Sequence, residues 1–240
     1  MKNLIIGTRG SNLALAQAEH IKSRLEKMGL EIELKIIKTS GDINQSTFNE
    51  IPLKKLFVKE IEEELLANKI DLAVHSMKDM PYDEVEGLIM GAYPEREDPR
   101  DALIVHNEIK IIGTGSERRR VQLEALYENI EVRPIRGNVD TRILKLHNGD
   151  YDAIVLAAAG LNRLGLDNMI SRYFEVEEMV PSPCQGVLGI QCREDDEFVR
   201  RILDLIDNKE LRKVVELERL FGKIHNGGCK SPIGAYAEIN

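Results

Sequence analysis

The chain has 240 residues, 42% of them hydrophobic, with 41 acidic against 33 basic side chains and a formal net charge of -8. That length can bury one large or two modest cores, and the acidic balance excludes a general nucleic-acid binder, whose affinity rests on a basic surface. No run of about 18 apolar residues is present to cross a membrane, and the first residues lack the apolar stretch of a signal peptide.

Leu4-Ile5-Ile6 followed by Gly7-Thr8-Arg9-Gly10-Ser11 predicts a short strand that runs into a serine-capped helix. Leu13, Gln17, Ile21, Leu25 and Met28 keep helical spacing after it, and Ile32, Leu34 and Ile36 alternate as a strand. A helix then leads to the buried strand Asp71-Leu72-Ala73-Val74, which ends in His75-Ser76-Met77-Lys78-Asp79-Met80-Pro81. The order recurs further on. Lys110-Ile111-Ile112-Gly113-Thr114-Gly115-Ser116 repeats the first strand and cap, and Val121, Leu123 and Leu126 repeat the helix. Val132 to Ile135 repeats the second strand, and Tyr151-Asp152-Ala153-Ile154-Val155 the buried one. Strands alternating with helices imply mostly parallel sheets covered on both faces, here in two lobes of one βαβα plan, with ligands at the carboxyl ends of strands. Near the C-terminus, residues 210–222 read as a helix with Val214, Val215, Leu217, Leu220 and Phe221 apolar, and Ile233, Ala235, Ala237 and Ile239 alternate as a strand. A lone strand there leaves an unpaired edge, so either it pairs with the lobes, or another chain completes the sheet, or this part is loosely held, the last two being the expectation.

The chemistry gathers at the strand ends. Ser11 and Ser116 open helices, whose N-termini attract anions, and Arg9, Arg118 and Arg119 stand beside them with forks suited to carboxylates. No Gly-Lys-Ser/Thr follows either turn, so neither is a phosphate-binding P-loop, and multi-carboxylate ligands fit better than nucleotides. Lys78 and Asp79 are the acid–base or electrostatic candidates, although such clusters also serve as ion-pair networks. Cys184, Cys192 and Cys229 show no C-x-x-C spacing, which argues against a disulfide scaffold and a zinc site and fits a reducing cytoplasm; no metal is expected. Cys229 sits in Asn226-Gly227-Gly228-Cys229-Lys230-Ser231-Pro232, a turn in which Lys230 and His225 would favour its thiolate.

Together these motifs resemble the hydroxymethylbilane synthase family, also called porphobilinogen deaminase. The matching stretches include Gly7 to Gln17, Leu56 to Glu60, Asp71 to Pro81, Arg96 to Ala102, Gly113 to Arg119, Arg136 to Arg142, Ala158 to Gly165, Gln185 to Ile190 and Gly227-Gly228-Cys229. The resemblance implies two related periplasmic-binding-protein-like lobes around a cleft plus a small, truncated α+β third domain. Residues 1–94 with 181–204 would form domain 1, 95–180 the arginine-rich domain 2, and 205–240 a partial domain 3 with the cofactor cysteine. It implies a cytoplasmic transferase that joins four porphobilinogens head to tail, releasing ammonia, on a dipyrromethane held as a thioether by Cys229. Asp79, with Lys78, would be catalytic, hydrogen-bonding pyrrole N–H groups and stabilising the azafulvene cation. Arg118, Arg119, Ser116, Lys78 and Asp79 would hold the cofactor. Arg9, Ser11, Gln17, Ser76, Arg136, Arg142, Arg163 and Lys54 would bind the substrate and the growing polypyrrole chain. Lys54-Lys55 departs from the family's usual Gly-Lys-Gly, and Cys184 stands where small residues are usual, as a second thiol near the cleft. An inactive or partner-dependent truncated homologue, or an anion-binding protein on the same scaffold, is the alternative reading.

Overall fold

The computed structural model describes residues 3–39, 58–225 and 231–239. These divide into two compact units, residues 1–96 with 187–216 and residues 97–186 with 217–240.

The first unit is built on a five-stranded sheet in the order β2-β1-β3-β10-β4. Its strands are β1 (Asn3–Thr8), β2 (Glu31–Ile36), β3 (Leu72–Ser76), β4 (Leu88–Ala92) and β10 (Leu188–Arg193). β1 runs parallel to β2 and β3, and β10 lies antiparallel between β3 and β4. Side chains alternate across a strand, so β3 sends Leu72 and Val74 to one face and Ala73 to the other. The first face packs with Ile21 and Leu25 of α1 (Asn12–Glu26) and Val199 and Leu203 of α6 (Glu197–Asp204). The second packs with Ile61 and Leu65 of α2 (Lys59–Leu66). A short 3-10 turn, Met77–Asp79, follows β3 directly. Gly189 of β10 lets it pack closely, because a Cβ there would collide with the Met77 side chain.

The second unit repeats the plan strand for strand. Its sheet has the order β7-β6-β8-β5-β9, from β5 (Asp101–Val105), β6 (Ile111–Gly113), β7 (Glu131–Arg133), β8 (Ala153–Ala157) and β9 (Arg172–Phe174). β6 is parallel to β7 and β8, and β5 is antiparallel to β8 and β9. The repeated sequence landmarks therefore fall on topologically equivalent strands: β1 matches β6, β2 matches β7, and β3 matches β8. Alternation again divides the core. Leu103, Ala153 and Val155 pack with Leu123 of α3 (Glu117–Leu126). Ala102, Ile104, Ile154 and Leu156 pack with Leu146 of α4 (Val139–His147) and Leu161 of α5 (Ala158–Arg163).

The last helix, α7, spans Lys209–Ile224, and the unit boundary falls within it. Val214 and Val215 are buried, whereas Leu217, Leu220, Phe221 and Ile224 are exposed. The alternating residues 233–239 form no strand. The contacts of this segment include Ala235 N–H donating to Pro181 O at 2.9 Å and Ala237 N–H to Glu218 Oε1 at 2.8 Å. The other oxygen of the buried Glu218 carboxylate accepts from Cys184 N–H. Cys184 is only 1% exposed and has φ 61°, so its thiol is packed inside rather than presented at a cleft. The Cys192 thiol is also buried, and desolvation pushes it up to about 11.

Candidate active site

In the first unit the parallel strands β1 and β3 are neighbours, so their carboxyl ends deliver Arg9, Ser11, Ser76, Lys78 and Asp79 to one edge of the sheet. Ser11 caps α1, its Oγ accepting from Ala14 N–H at 3.3 Å. Gln17, one turn further along α1, is buried, and its Nε2 donates to Ser76 Oγ at 2.8 Å. Lys78 is half-buried and Asp79 is exposed. His75 was read only as part of the strand-end motif, yet it is fully enclosed beside them, 2.9 Å from Gln191 Oε1. Burial lowers its pKa from 6.5 to about 4, against the raising effect of the Gln191 hydrogen bond.

That depression carries a stability prediction. The unfolded chain takes up the proton near pH 6.5 and the folded chain only near pH 4, so His75 favours the fold above pH 6.5. The contribution, of order 3 kcal/mol, is lost as pH falls from 6.5 to 4. Urea unfolding of the wild type should therefore weaken more steeply across this window than that of His75→Gln. Parallel pH profiles for the two would rule out a buried neutral imidazole.

In the second unit the carboxyl ends of β7, β6 and β8 lie side by side. Ser116 caps α3, its Oγ 3.5 Å from Arg119 N. Gly115 passes so close to Ile135 that a Cβ would lie 2.7 Å from its carbonyl oxygen. Arg142 of α4 donates to Gly137 O at 2.7 Å, Arg136 is exposed after β7, and Arg163 of α5 donates to Gly186 O at 2.8 Å.

The first two arginines of α3 turn inward, and the third, Arg120, pairs with Glu117 and Glu124 on the surface. Arg118 and Arg119 are 3% and 6% exposed and converge on Asp101, which has no exposure at all. Arg119 Nη2 lies 2.7 Å from Asp101 Oδ1, and Arg118 Nη2 lies 2.8 Å from Oδ2. Gln185 Nε2 donates to the same carboxylate at 2.8 Å and also to Pro99 O at 2.7 Å. Burial alone would raise the Asp101 pKa, but the charges of Arg119 and Arg118 and the hydrogen bonds prevail and hold it at about 2. Two guanidinium groups around one carboxylate leave positive charge in a desolvated place, which an anionic ligand would offset. Arg118 reflects this strain, with its pKa lowered by desolvation.

Sequence reading singled out the two arginines but missed Asp101 and Gln185. Asp101 lay inside a recognised motif, Arg96 to Ala102, without any local sign of its partners. Lys54 and Cys229 lie outside the described residues. No cluster of three or more His, Cys, Asp or Glu side chains able to hold a metal occurs among the described residues.

Fold and site together define a two-lobed α/β protein whose strand ends carry basic and acidic groups. Residues 4–201 match the family described as "Porphobilinogen deaminase, dipyromethane cofactor binding domain", and the chain belongs to the porphobilinogen deaminase family. It is 49% identical to the porphobilinogen deaminase of Fusobacterium nucleatum over 100% of this chain and 84% of that protein. It is 45% identical to that of Staphylococcus carnosus (100% and 82% covered) and 44% to that of Geobacillus kaustophilus (100% and 81%). Among solved structures, a Ruminococcus gnavus protein aligns with TM-score 0.50 and 14% identity over 95% of this chain and 98% of its own.

Proposed function

We propose that this chain is a hydroxymethylbilane synthase, a transferase that condenses four porphobilinogens head to tail into linear hydroxymethylbilane. The observation that carries this reading is the buried pair Arg118 and Arg119 around the single carboxylate Asp101, in a chain of this family. Each pyrrole ring carries an acetate and a propionate, so the cofactor and the growing chain are polyanions that match this excess of positive charge.

The donor set fits a dipyrromethane. Ser116 at the start of α3, with Arg118 and Arg119, would hold its carboxylates, and Asp79 and Lys78 its pyrrole N–H and acidic groups. Cys229 would anchor it as a thioether. When bound, that group supplies the nucleophilic terminal pyrrole carbon to which each new ring is joined. Asp79 is the acceptor for the pyrrole N–H of the incoming substrate. As the aminomethyl C–N bond breaks and ammonia leaves, positive charge develops on that ring, and the Asp79 carboxylate stabilises it. Joining the new ring to the terminal pyrrole carbon would displace a proton from it, and the Asp79 carboxylate would be the base that takes it up. Arg9, Ser11, Gln17, Ser76, Arg136, Arg142, Arg163 and Lys54 would bind substrate and chain carboxylates. Arg9 and Arg136 follow the first two equivalent strands of the two units, β1 and β2 being matched by β6 and β7.

We place the protein in the cytoplasm, since no helix among the described residues is long and apolar enough to cross a membrane and the two described cysteines are free thiols. Residues 205–240 would be a partial third domain that carries Cys229, with 1–94 and 181–204 as domain 1 and 95–180 as domain 2. Incubation of the purified chain with porphobilinogen tests the activity: ammonia should be released in step with substrate loss, with a linear tetrapyrrole as product. Stoichiometric substrate binding without ammonia would favour the anion-binding alternative.

A further inference from the structure

The last two residues of β3 are tied to opposite faces of the first sheet. Ser76 shares the face of Val74, where α1 packs, and Gln17 of α1 donates to it. His75 shares the face of Ala73, where α2 packs. There its Nε2 meets Gln191 Oε1 at 2.9 Å, and Gln191 Nε2 donates at 3.1 Å to Oε1 of Glu62 on α2. His75 and Gln191 are 5% and 4% exposed.

The chemistry of this row fixes its direction. A carboxylate only accepts, so Glu62 draws the NH2 of Gln191 towards itself. The amide oxygen then faces His75 and also only accepts, so the imidazole must carry its proton on Nε2. The strand end beyond His75 continues without a linker into the turn that carries Lys78 and Asp79. That turn is held by Met77 N–H donating to Val187 O at 3.0 Å and Met80 N–H to Met77 O at 3.2 Å. Asp79 itself is exposed, so packing around its own side chain does not set its place.

We propose that Glu62, Gln191 and His75 form a positioning relay that, opposite the Gln17–Ser76 bond, orients the Met77–Asp79 turn for catalysis. The relay rests on the reading of Asp79 as the catalytic carboxylate. His75 is a positioning residue in it, acting through the strand rather than on substrate.

The test uses the full chain loaded with its cofactor. Gln191→Leu and His75→Leu should each lower kcat about tenfold or more, with KM for porphobilinogen little changed, because small misplacements of a reacting group are costly. His75→Gln can still donate to the Gln191 oxygen and should recover most of the lost rate. Hydrogen exchange at the Met80 amide should quicken in both leucine variants and stay near wild type in His75→Gln. Nitrogen NMR of the wild type should show His75 as the neutral Nε2–H tautomer at pH 7. An Nδ1–H tautomer, or equal kcat in His75→Leu and His75→Gln, would overturn the relay. If His75→Leu does not fold, Gln191→Leu against His75→Gln decides in the same way. A wild type that releases no ammonia refutes the catalytic reading; the tautomer and the Met80 exchange then decide the relay alone.

Discussion

Asp101→Ala is expected to destabilise the protein by about 3–5 kcal/mol, the cost of stripping one partner from a buried charge group. The substitution removes the carboxylate that meets two guanidinium groups that are 3% and 6% exposed. It also unmakes the Gln185 contact that ties the segment before β10 to the start of β5. Neither arginine can escape by losing its proton, since a guanidinium stays charged in proteins. Asp101→Asn should fall between alanine and wild type, because it keeps the shape and part of the hydrogen bonding but not the charge. Urea unfolding at neutral pH measures all three. The pH dependence has a definite sign: the Asp101 contribution is complete above its ordinary value of 3.8 and is lost as pH falls towards 2. That window lies below the one in which His75 acts. A loss under about 1 kcal/mol for alanine, within the range of an exposed ion pair, would mean that the cluster is solvated.

Asp79→Asn is expected to reduce the rate of ammonia release by about 10²–10³, the usual loss when one preorganised stabilising group is removed. The amide keeps the size of the side chain and can still accept from a pyrrole N–H, but it lacks the negative charge that offsets the cation. Because Asp79 is exposed at the end of its turn, stability should change by no more than about 0.5 kcal/mol. The rate and the unfolding midpoint are to be measured on one preparation. Near-normal ammonia release would take Asp79 out of the mechanism, and a large fall in stability would make it a structural residue instead.

The two-lobe plan was legible because it is written locally. A short apolar strand, a glycine turn and a capping serine occur at Leu4–Ser11 and again at Ile111–Ser116, and helical spacing follows each. What stayed hidden is non-local. The resemblance assigns 181–204 to the same domain as 1–94, but it does not show that β10 enters the first sheet between β3 and β4, after all five strands of the second sheet, or that β5 takes the equivalent place in the second. No residue pattern near either strand announces those neighbours. The site divides in the same way. Arg118 and Arg119 were visible as charges at a helix start, but their partner is 18 residues from Arg119, and Gln185 reaches that partner across 84 residues. The alternation of Ile233, Ala235, Ala237 and Ile239 matched a strand, yet among the described residues no strand pairs with it. Ala235 and Ala237 instead spend their N–H groups on Pro181 and Glu218. Those bonds tie residues 231–239 to neighbouring segments. Cys184 stood in the sequence as a second thiol near the cleft, and its left-handed backbone and its burial are tertiary features that no local pattern shows.

In the function proposed above, Cys229 carries a polypyrrole primer whose carboxylates the arginines serve. Intact mass of the protein purified from cells replete in porphobilinogen tests it most directly. The mass should exceed that of the sequence by two porphobilinogens less two ammonias, an increment absent from Cys229→Ser. Protein of unmodified mass from such cells, or an increment that survives Cys229→Ser, would contradict it.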